Sequence, residues 1–394
     1  MSDSNRVQMY YLAETSWGAT PASALTEMRF TSESLSYGIQ TKTSDEIRSD
    51  RQVTDLILTG ADAGGGVNWE LSHGTYDALF SAALMSAAAG AWSTPVSVSV
   101  ATDIAAVVSG NKYTSVATNF TTVNIVAGQW IKVSGFATAA NNGFKKVISV
   151  AAGELAVAIG EAALQAEAAT PAITMTGSKI RNGTTETSFT LERYHADVAQ
   201  FFTYRGMVPD TMSMSLAAGS VITGSFNFKG KDEVLAGTTK GTGPANAATT
   251  TQVINAVSNV ANIIEGSTLV PMSGVYIQSL DFSLANNVRA LTGIGVLGAV
   301  DMGYGRCDAT GNFKAYFINN TLYDKYIANT RSGLSYRMAD VAGNTYIVTF
   351  PTIEFSSAKA NAGGGNQDVT VDIGWTAIRD TTLGFTVQID KFAA

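Results

Sequence analysis

The sequence has a single cysteine, Cys307, in 394 residues. An intrachain disulfide is therefore excluded, and nothing in the chain requires an oxidising compartment. Histidine is nearly as scarce, with His73 and His195 the whole supply. Two imidazoles without a nearby thiol make a poor zinc set. Charge is thin as well: Asp, Glu, Lys and Arg make up 14% of the chain, against about 25% in ordinary soluble domains. The balance of 25 basic and 32 acidic residues, with a pI near 5.0, argues against a sequence-independent grip on nucleic acid, because such a grip neutralises phosphates with Lys and Arg. No apolar run reaches the length of a membrane span, and the opening MSDSNRVQMYYLAETSWG lacks the basic start and apolar core of a signal peptide. No membrane partner is expected, and synthesis in a cytoplasm is.

What the chain does have is apolar material, 45% of its residues, and enough length for two or three domains around a substantial core. Ala, Gly, Thr and Ser are abundant. A small, neutral surface suits a protein that hides its faces in an assembly.

The stretch from Thr31 to Tyr76 orders the rest. Apolar alternation leads into the charged run Ser44-Asp-Glu-Ile-Arg-Ser-Asp-Arg51, then the glycines Gly64, Gly65 and Gly66, then a second alternating run with Val67, Trp69 and Leu71 on one face. This predicts strand, long loop, strand. Before it, residues 9–38 read as a strand, a turn at Pro21 and another strand. After it, Thr75 is the predicted cap of a helix in which Tyr76, Leu79, Phe80, Ala83, Leu84 and Ala87 recur at helical spacing up to Gly90.

From Ser93 to Ser178 the chain is nearly free of arginine and rich in Val, Ala and Thr, with turn signals at Ser109-Gly110-Asn111 and Asn141-Asn142-Gly143. It reads as an inserted small all-β domain, dividing the chain into 1–92, 93–178 and 179–394. The next segment predicts a strand through Ser188–Tyr194 and a helix over 195–204, with Val198, Phe201 and Phe202 on one face. Strand-then-helix would thus occur twice, at Glu70–Phe80 and Glu192–Phe202, which hints at a duplication. Ile222, Phe226 and Phe228 mark a strand, and residues 233–271 read as loop with a short helix. Tyr276, Gln278, Leu280, Phe282 and Leu284 share a strand face, Asn286–Arg289 turns the chain into Leu291–Val300, and Thr321 is the predicted cap of a helix bearing Leu322, Tyr323 and Tyr326. The end is strands again, through Tyr346–Phe350, Val369–Trp375 and Phe385–Ile389, with Thr, Gln and Asp outward, as in an antiparallel sheet exposed on one side.

Few groupings carry chemistry. Each histidine precedes a predicted helix, and a structural role outweighs a catalytic one. Cys307 follows Arg306, which can lower a thiol pKa, but no base or oxyanion site accompanies it. Asp308–Asn312 approximates a calcium loop without its alternating ligands or distal glutamate, so a β-turn explains it better. The runs Gly64–Gly66 and Gly363–Gly365 match neither a phosphate loop nor a dinucleotide fingerprint. No catalytic residue, metal or cofactor is expected. The charged run is different. Asp45, Glu46, Arg48, Asp50 and Arg51 interleave with Ile47 and Val53, giving apolar anchors rimmed by ion-pairing groups, which is how a protein–protein contact is built.

Ordered pieces run along the chain: Glu14-Thr-Ser-Trp17-Gly18, Glu33-Ser-Leu, Ser44–Arg51, Trp69-Glu-Leu-Ser with Tyr76-Asp77, Phe189-Thr-Leu-Glu192, Gly224–Gly230, Asp340–Tyr346, Pro351, Asn366-Gln-Asp368 and Val387–Lys391. In this order they resemble the tail tube (major tail) proteins of long-tailed phages with non-contractile, siphovirus-type tails. The similarity spans most of residues 9–392, outside the insert and 233–271. Within the insert, Gly128-Gln129-Trp130 and Asn141-Asn142-Gly143-Phe144 resemble small β modules of phage virion proteins. The resemblance implies a mainly β fold, an antiparallel sandwich or barrel with short flanking helices, assembled with itself into hexameric rings stacked as a tube. It further implies a tape-measure protein in the channel, tail terminator and tip proteins at its ends, viral DNA passing without specific binding, and a loop, here Gln40–Thr54, reaching a neighbouring ring. An acidic lumen would suit such a conduit by repelling phosphate. The competing expectation is a surface or fibre adhesion module whose insert binds glycan or protein. A hydrolase using His73 or His195 ranks last.

Overall fold

The computed structural model describes residues 3–87, 91–160, 162–169, 172–265 and 276–394. In chain order, the body begins with β1 (Val7–Ala13), β2 (Thr26–Met28), β3 (Ser32–Glu33), β4 (Ser36–Thr43), β5 (Leu56–Glu70) and helix α1 (Asp77–Ala83). Then come β6 (Val96–Val100), β7 (Ala105–Val107), β8 (Lys112–Thr114), β9 (Trp130–Ser134), β10 (Gly143–Val150), β11 (Glu154–Val157) and β12 (Ile173–Arg181). The chain continues through β13 (Phe189–His195), β14 (Gln200–Ala217), β15 (Thr223–Gly230), β16 (Asp232–Ala236), β17 (Val260–Glu265), β18 (Ile277–Ala285), β19 (Arg289–Thr292), β20 (Ala299–Gly303) and β21 (Asp308–Tyr316). Helix α2 (Thr321–Ile327), β22 (Ser332–Ala339), β23 (Thr345–Asn361), β24 (Thr370–Ala377) and β25 (Gln388–Phe392) complete it. The fold is mainly β and antiparallel, as the alternation predicts.

One broad wall runs β3–β5–β15–β14–β18–β21–β24–β23. A second sheet, β12–β25–β23–β22–β17, packs across the core from it. Both sheets share β23, and the switch falls at Pro351. Before it Tyr346, Val348 and Phe350 point into the core, and after it Ile353 and Phe355 do, so the parity of the strand flips there. Strand β14 is shared likewise: its first half pairs with β13 and β16, its second with β15 and β18. It turns at Gly206, whose φ of +66° suits glycine and whose bare Cα lies under the Trp17 indole.

Between the sheets, Trp69 packs on Tyr76, Phe80 and Phe226 with ring centroids 5.0, 5.6 and 5.5 Å apart. Each such fully buried ring contributes about 1.5–3 kcal/mol. This is why α1 lies where it does: Leu79, Phe80 and Ala83 recur at helical spacing and are all buried. Its cap differs from expectation. Tyr76 takes the N-cap position, while Thr75 turns its hydroxyl to Ser72 at 2.6 Å. Gly90, the predicted terminator, lies outside the described residues. Similarly Thr321 is the first residue of α2 rather than its cap, and Asn319 Oδ1 accepts its N–H at 3.0 Å.

Three further expectations are corrected. Residues 195–204 form a hairpin joining β13 to β14, with Ala199 at φ +50°, and no helix. Phe201, Phe202, Thr203 and Tyr204 are aromatic or β-branched and favour the pleated ladder that β13 and β16 offer on both sides. The proposed duplication falls with that helix. In the 233–271 segment the described residues hold β16 and β17 rather than a helix, and residues 266–271 lie outside them. Finally, Thr349, Gln388 and Asp390 on the outward face of β23 and β25 are buried, because residues 93–178 sit on that face.

Those residues carry a core cluster of their own, built on Tyr113, Phe120, Ile131, Leu155 and Met175. Strand β12 links it to the body: Ile173–Gly177 pair with β6, and Ser178–Arg181 pair with β25. Gly177 marks the crossing at φ +153°, where a Cβ would come within 2.9 Å of Phe392 and 3.1 Å of the Trp130 carbonyl. The seat is polar and buried. Trp130 Nε1 donates to Thr349 Oγ1 at 3.0 Å, Gln388 Nε2 to the Gly128 carbonyl at 3.0 Å, and Arg181 Nη2 to the Ala127 carbonyl at 2.6 Å.

Candidate functional site

The β4–β5 pair leaves the wall as an arm. Strand β15 stops pairing with β5 at Ala63, so Leu56–Asp62 run on with β4 as their ladder partner among the described residues. At about 3.3 Å per residue this is a reach of roughly 20 Å. The loop closes where Ser44 N–H donates to the Asp55 carbonyl at 3.0 Å. Within it Arg48 grips Asp50 through Nε at 3.1 Å and Nη2 at 2.8 Å, Lys42 pairs with Asp45 at 3.0 Å, and Arg51 sits at φ +58°. The Arg48 hydrogen bond holds the Asp50 carboxyl below its ordinary pKa. All seven predicted contact residues, Asp45, Glu46, Ile47, Arg48, Asp50, Arg51 and Val53, are exposed. Ile47 is 100% exposed and Val53 71%, and Ile39, Leu56, Ile57 and Leu58 continue the apolar surface down both strands. Such a patch marks an interaction site.

The outward face of the wall was not readable beforehand. Register places Ser32, Asn68, Ser225, Ser213, Ser283, Thr310, Thr376 and Glu354 in one transverse row across eight strands. Seven of the eight are hydroxyls or amides. They bond to one another: Ser213 Oγ and Ser225 Oγ lie 2.8 Å apart, and Asn68 Nδ2 donates to Ser32 Oγ at 2.8 Å. The adjacent positions Glu70, Thr223, Ser215, Asp281 and Asn312 continue the row with two carboxylates among them. One residue along each strand, Val67, Phe226, Met212, Phe282 and Trp375 face the core. The two sheets enclose that core, so this polar face and the face bearing residues 93–178 lie on opposite sides of the sandwich.

Reactive side chains are not gathered. His73 stacks on Tyr346 at 4.8 Å, and burial pushes its pKa down. His195 ends β13 against Phe202 at 5.3 Å. Burial raises the Cys307 thiol to about 11, and Arg306 is engaged with Asp308 at 2.5 Å instead. Among the described residues no cluster of three or more His, Cys, Asp or Glu is placed to hold a metal ion. No described helix is long and apolar enough to cross a membrane.

A wide antiparallel wall, with an arm whose apolar side chains find no cover among the described residues and no gathered reactive groups, is the architecture of a structural protein. The chain belongs to the phage tail tube proteins: the family described as phage tail tube protein matches residues 4–377, a span that includes 93–178. It is a structural component of the virion tail. A search of curated proteins found no match to the chain.

Proposed function

We propose that the chain assembles into hexameric rings stacked as the tube of a long, non-contractile tail, and that its neutral sheet face lines the channel. The observation that carries this reading is the row of hydroxyls and amides across seven neighbouring strands. Counterion release drives proteins onto DNA in proportion to the phosphates they neutralise. The row itself carries no cation for passing DNA to hold. The lysines elsewhere on the face stand beside carboxylates, Lys229 with Asp210 and Lys314 and Lys359 with Asp372, and the hydroxyls keep the face wetted. Neutrality does this work in place of the acidic lumen expected from net charge.

With that face inward, residues 93–178 form a decorating domain on the tube exterior. The arm, through Asp45–Val53, reaches the adjacent ring. Assembly takes place in the host cytoplasm around a tape-measure protein, with terminator and tip proteins closing the ends.

Phage carrying Ser213→Lys with Ser283→Lys should build tails of normal length and deliver DNA poorly, whereas Ser213→Asp with Ser283→Asp should deliver it near normally. Full infectivity of the lysine phage would remove the face from the channel. Purified protein that stays monomeric under every assembly condition, with virion tails lacking it, would remove the tube role itself.

A further inference from the structure

A second apolar finger stands beside the arm. Among the described residues, strands β19 and β20 pair only with each other, and residues 290–300 between and within them carry no charge. Ile294 is fully exposed, and Leu291, Val296 and Leu297 stand out with it. The finger is fixed to the body at its base and again beside its loop. Val288 and Met302 pack with Val208, and Gly298 lies so near the body that a Cβ would be 3.1 Å from the Lys231 carbonyl and 3.5 Å from that of Ala61. Ala61 belongs to β5, so finger and arm leave the same pole of the wall side by side.

The opposite pole is the finger's counterpart. Strand β18 spans the wall, with Ala285 opposite Asp308 at the finger end and Ile277 opposite Ala315 at the other. At that far end the Tyr316 N–H donates to the Tyr276 carbonyl at 3.1 Å and the Phe317 N–H to the Val369 carbonyl at 2.9 Å. This sets Tyr276, Phe317 and Val369 together, and Ile318 and Ile327 follow on the way through α2. All five are exposed. Residues 316–323 are uncharged, like the finger.

We infer that the β19–β20 finger of one copy docks on the Tyr276–Phe317 pole of the next, giving a head-to-tail contact between copies of this chain. The inference rests on the tube reading, which supplies the second copy as occupant. The two surfaces match as apolar to apolar, Leu291, Ile294 and Leu297 against Tyr276, Phe317 and Ile318, with Asp301, Asp324 and Asp368 exposed at their margins. Two different patches at opposite poles make a heterologous contact, which propagates rather than closing as an isolated pair. The arm beside the finger extends the same junction with its own apolar side chains.

The test uses two full-length variants. One is Ile294→Asp with Leu297→Asp, the other Phe317→Asp with Ile318→Asp. The positions are exposed, so each variant should melt like the unaltered chain. Neither alone should form tubes at concentrations where the unaltered chain does. Mixed, they should form only a capped species one junction long, because each supplies the surface the other lacks. Tubes from either variant alone, or a pole variant that self-associates through paired fingers, overturns the inference. Should Asp at these sites unfold the chain, Ile294→Ser with Leu297→Ser repeats the finger test. If the unaltered chain itself forms no tubes, the tube reading fails instead, and the two failures are told apart.

Discussion

Trp69 lies directly across the β5–β15 ladder from Gly224, and its indole occupies the space a Cβ would need there. The relationship recurs further along the wall, where Trp375 faces Gly311 across the β21–β24 ladder. In each case a glycine on one strand lets the largest side chain of its neighbour lie flat in the core. Gly224→Ala should therefore cost about 1–3 kcal/mol through overpacking, read as a lower denaturant midpoint with an unchanged slope. An unchanged midpoint would show that the indole moves aside freely.

The seat of residues 93–178 turns on Trp130. Its indole N–H bonds Thr349, and its backbone N–H reaches Asp390 Oδ1 at 3.3 Å. Thr349→Val removes one of these partners and leaves a buried donor unmatched, a loss of about 1–3 kcal/mol. Limited proteolysis should then cut near 91–95 or 178–182 sooner than in the unaltered chain, and equal cutting rates would refute the role.

Asp390 adds a pH dependence. Burial pushes its pKa up to about 7, against the hydrogen bond from Gln388 and the charges of Lys146, Lys179 and Arg181 around it. The folded chain holds this proton more tightly than the unfolded chain does. The group's contribution is thus complete below about pH 4 and is lost as pH rises towards 7. Thermal melts should fall between pH 5 and pH 8, and Asp390→Asn should flatten that slope whatever its offset. An equal slope in both proteins would assign the pH effect elsewhere.

For the arm, reversing Glu46, Arg48, Asp50 and Arg51 together should leave the monomer's melting temperature within about 1–2 °C, since exposed ion pairs contribute little. Tube formation should be lost all the same. Normal tubes in negative-stain images would contradict the contact assignment.

Much of the fold was legible because its signals are local. The alternation at Val67, Trp69 and Leu71 fixes β5, the charged run interrupts any periodicity, and the spacing of Leu79, Phe80 and Ala83 fixes α1. The hairpin after His195 was misread for an equally local reason: Val198, Phe201 and Phe202 sit at helical intervals, yet Val198 is in the turn and the two phenylalanines begin a strand. The neutral row was invisible because its members come from distant parts of the sequence and meet only through register. Ser213 and Ser283 are each ordinary alone. The β19–β20 finger had no local sign of exposure, since an uncharged run such as 290–300 is normally buried, and only the ladder shows that among the described residues the two strands pair with each other alone.

Strands β14 and β23 each pass from one sheet into another without a break. Hydrogen-bonded ladders alone can be peeled or sheared apart one bond at a time. Here a pull on one layer is carried into the next by covalent backbone, at Gly206–Pro209 and at Pro351. The body is thereby tied into one piece, and in the stacked tube proposed above bending would fall on the junctions between copies rather than within them.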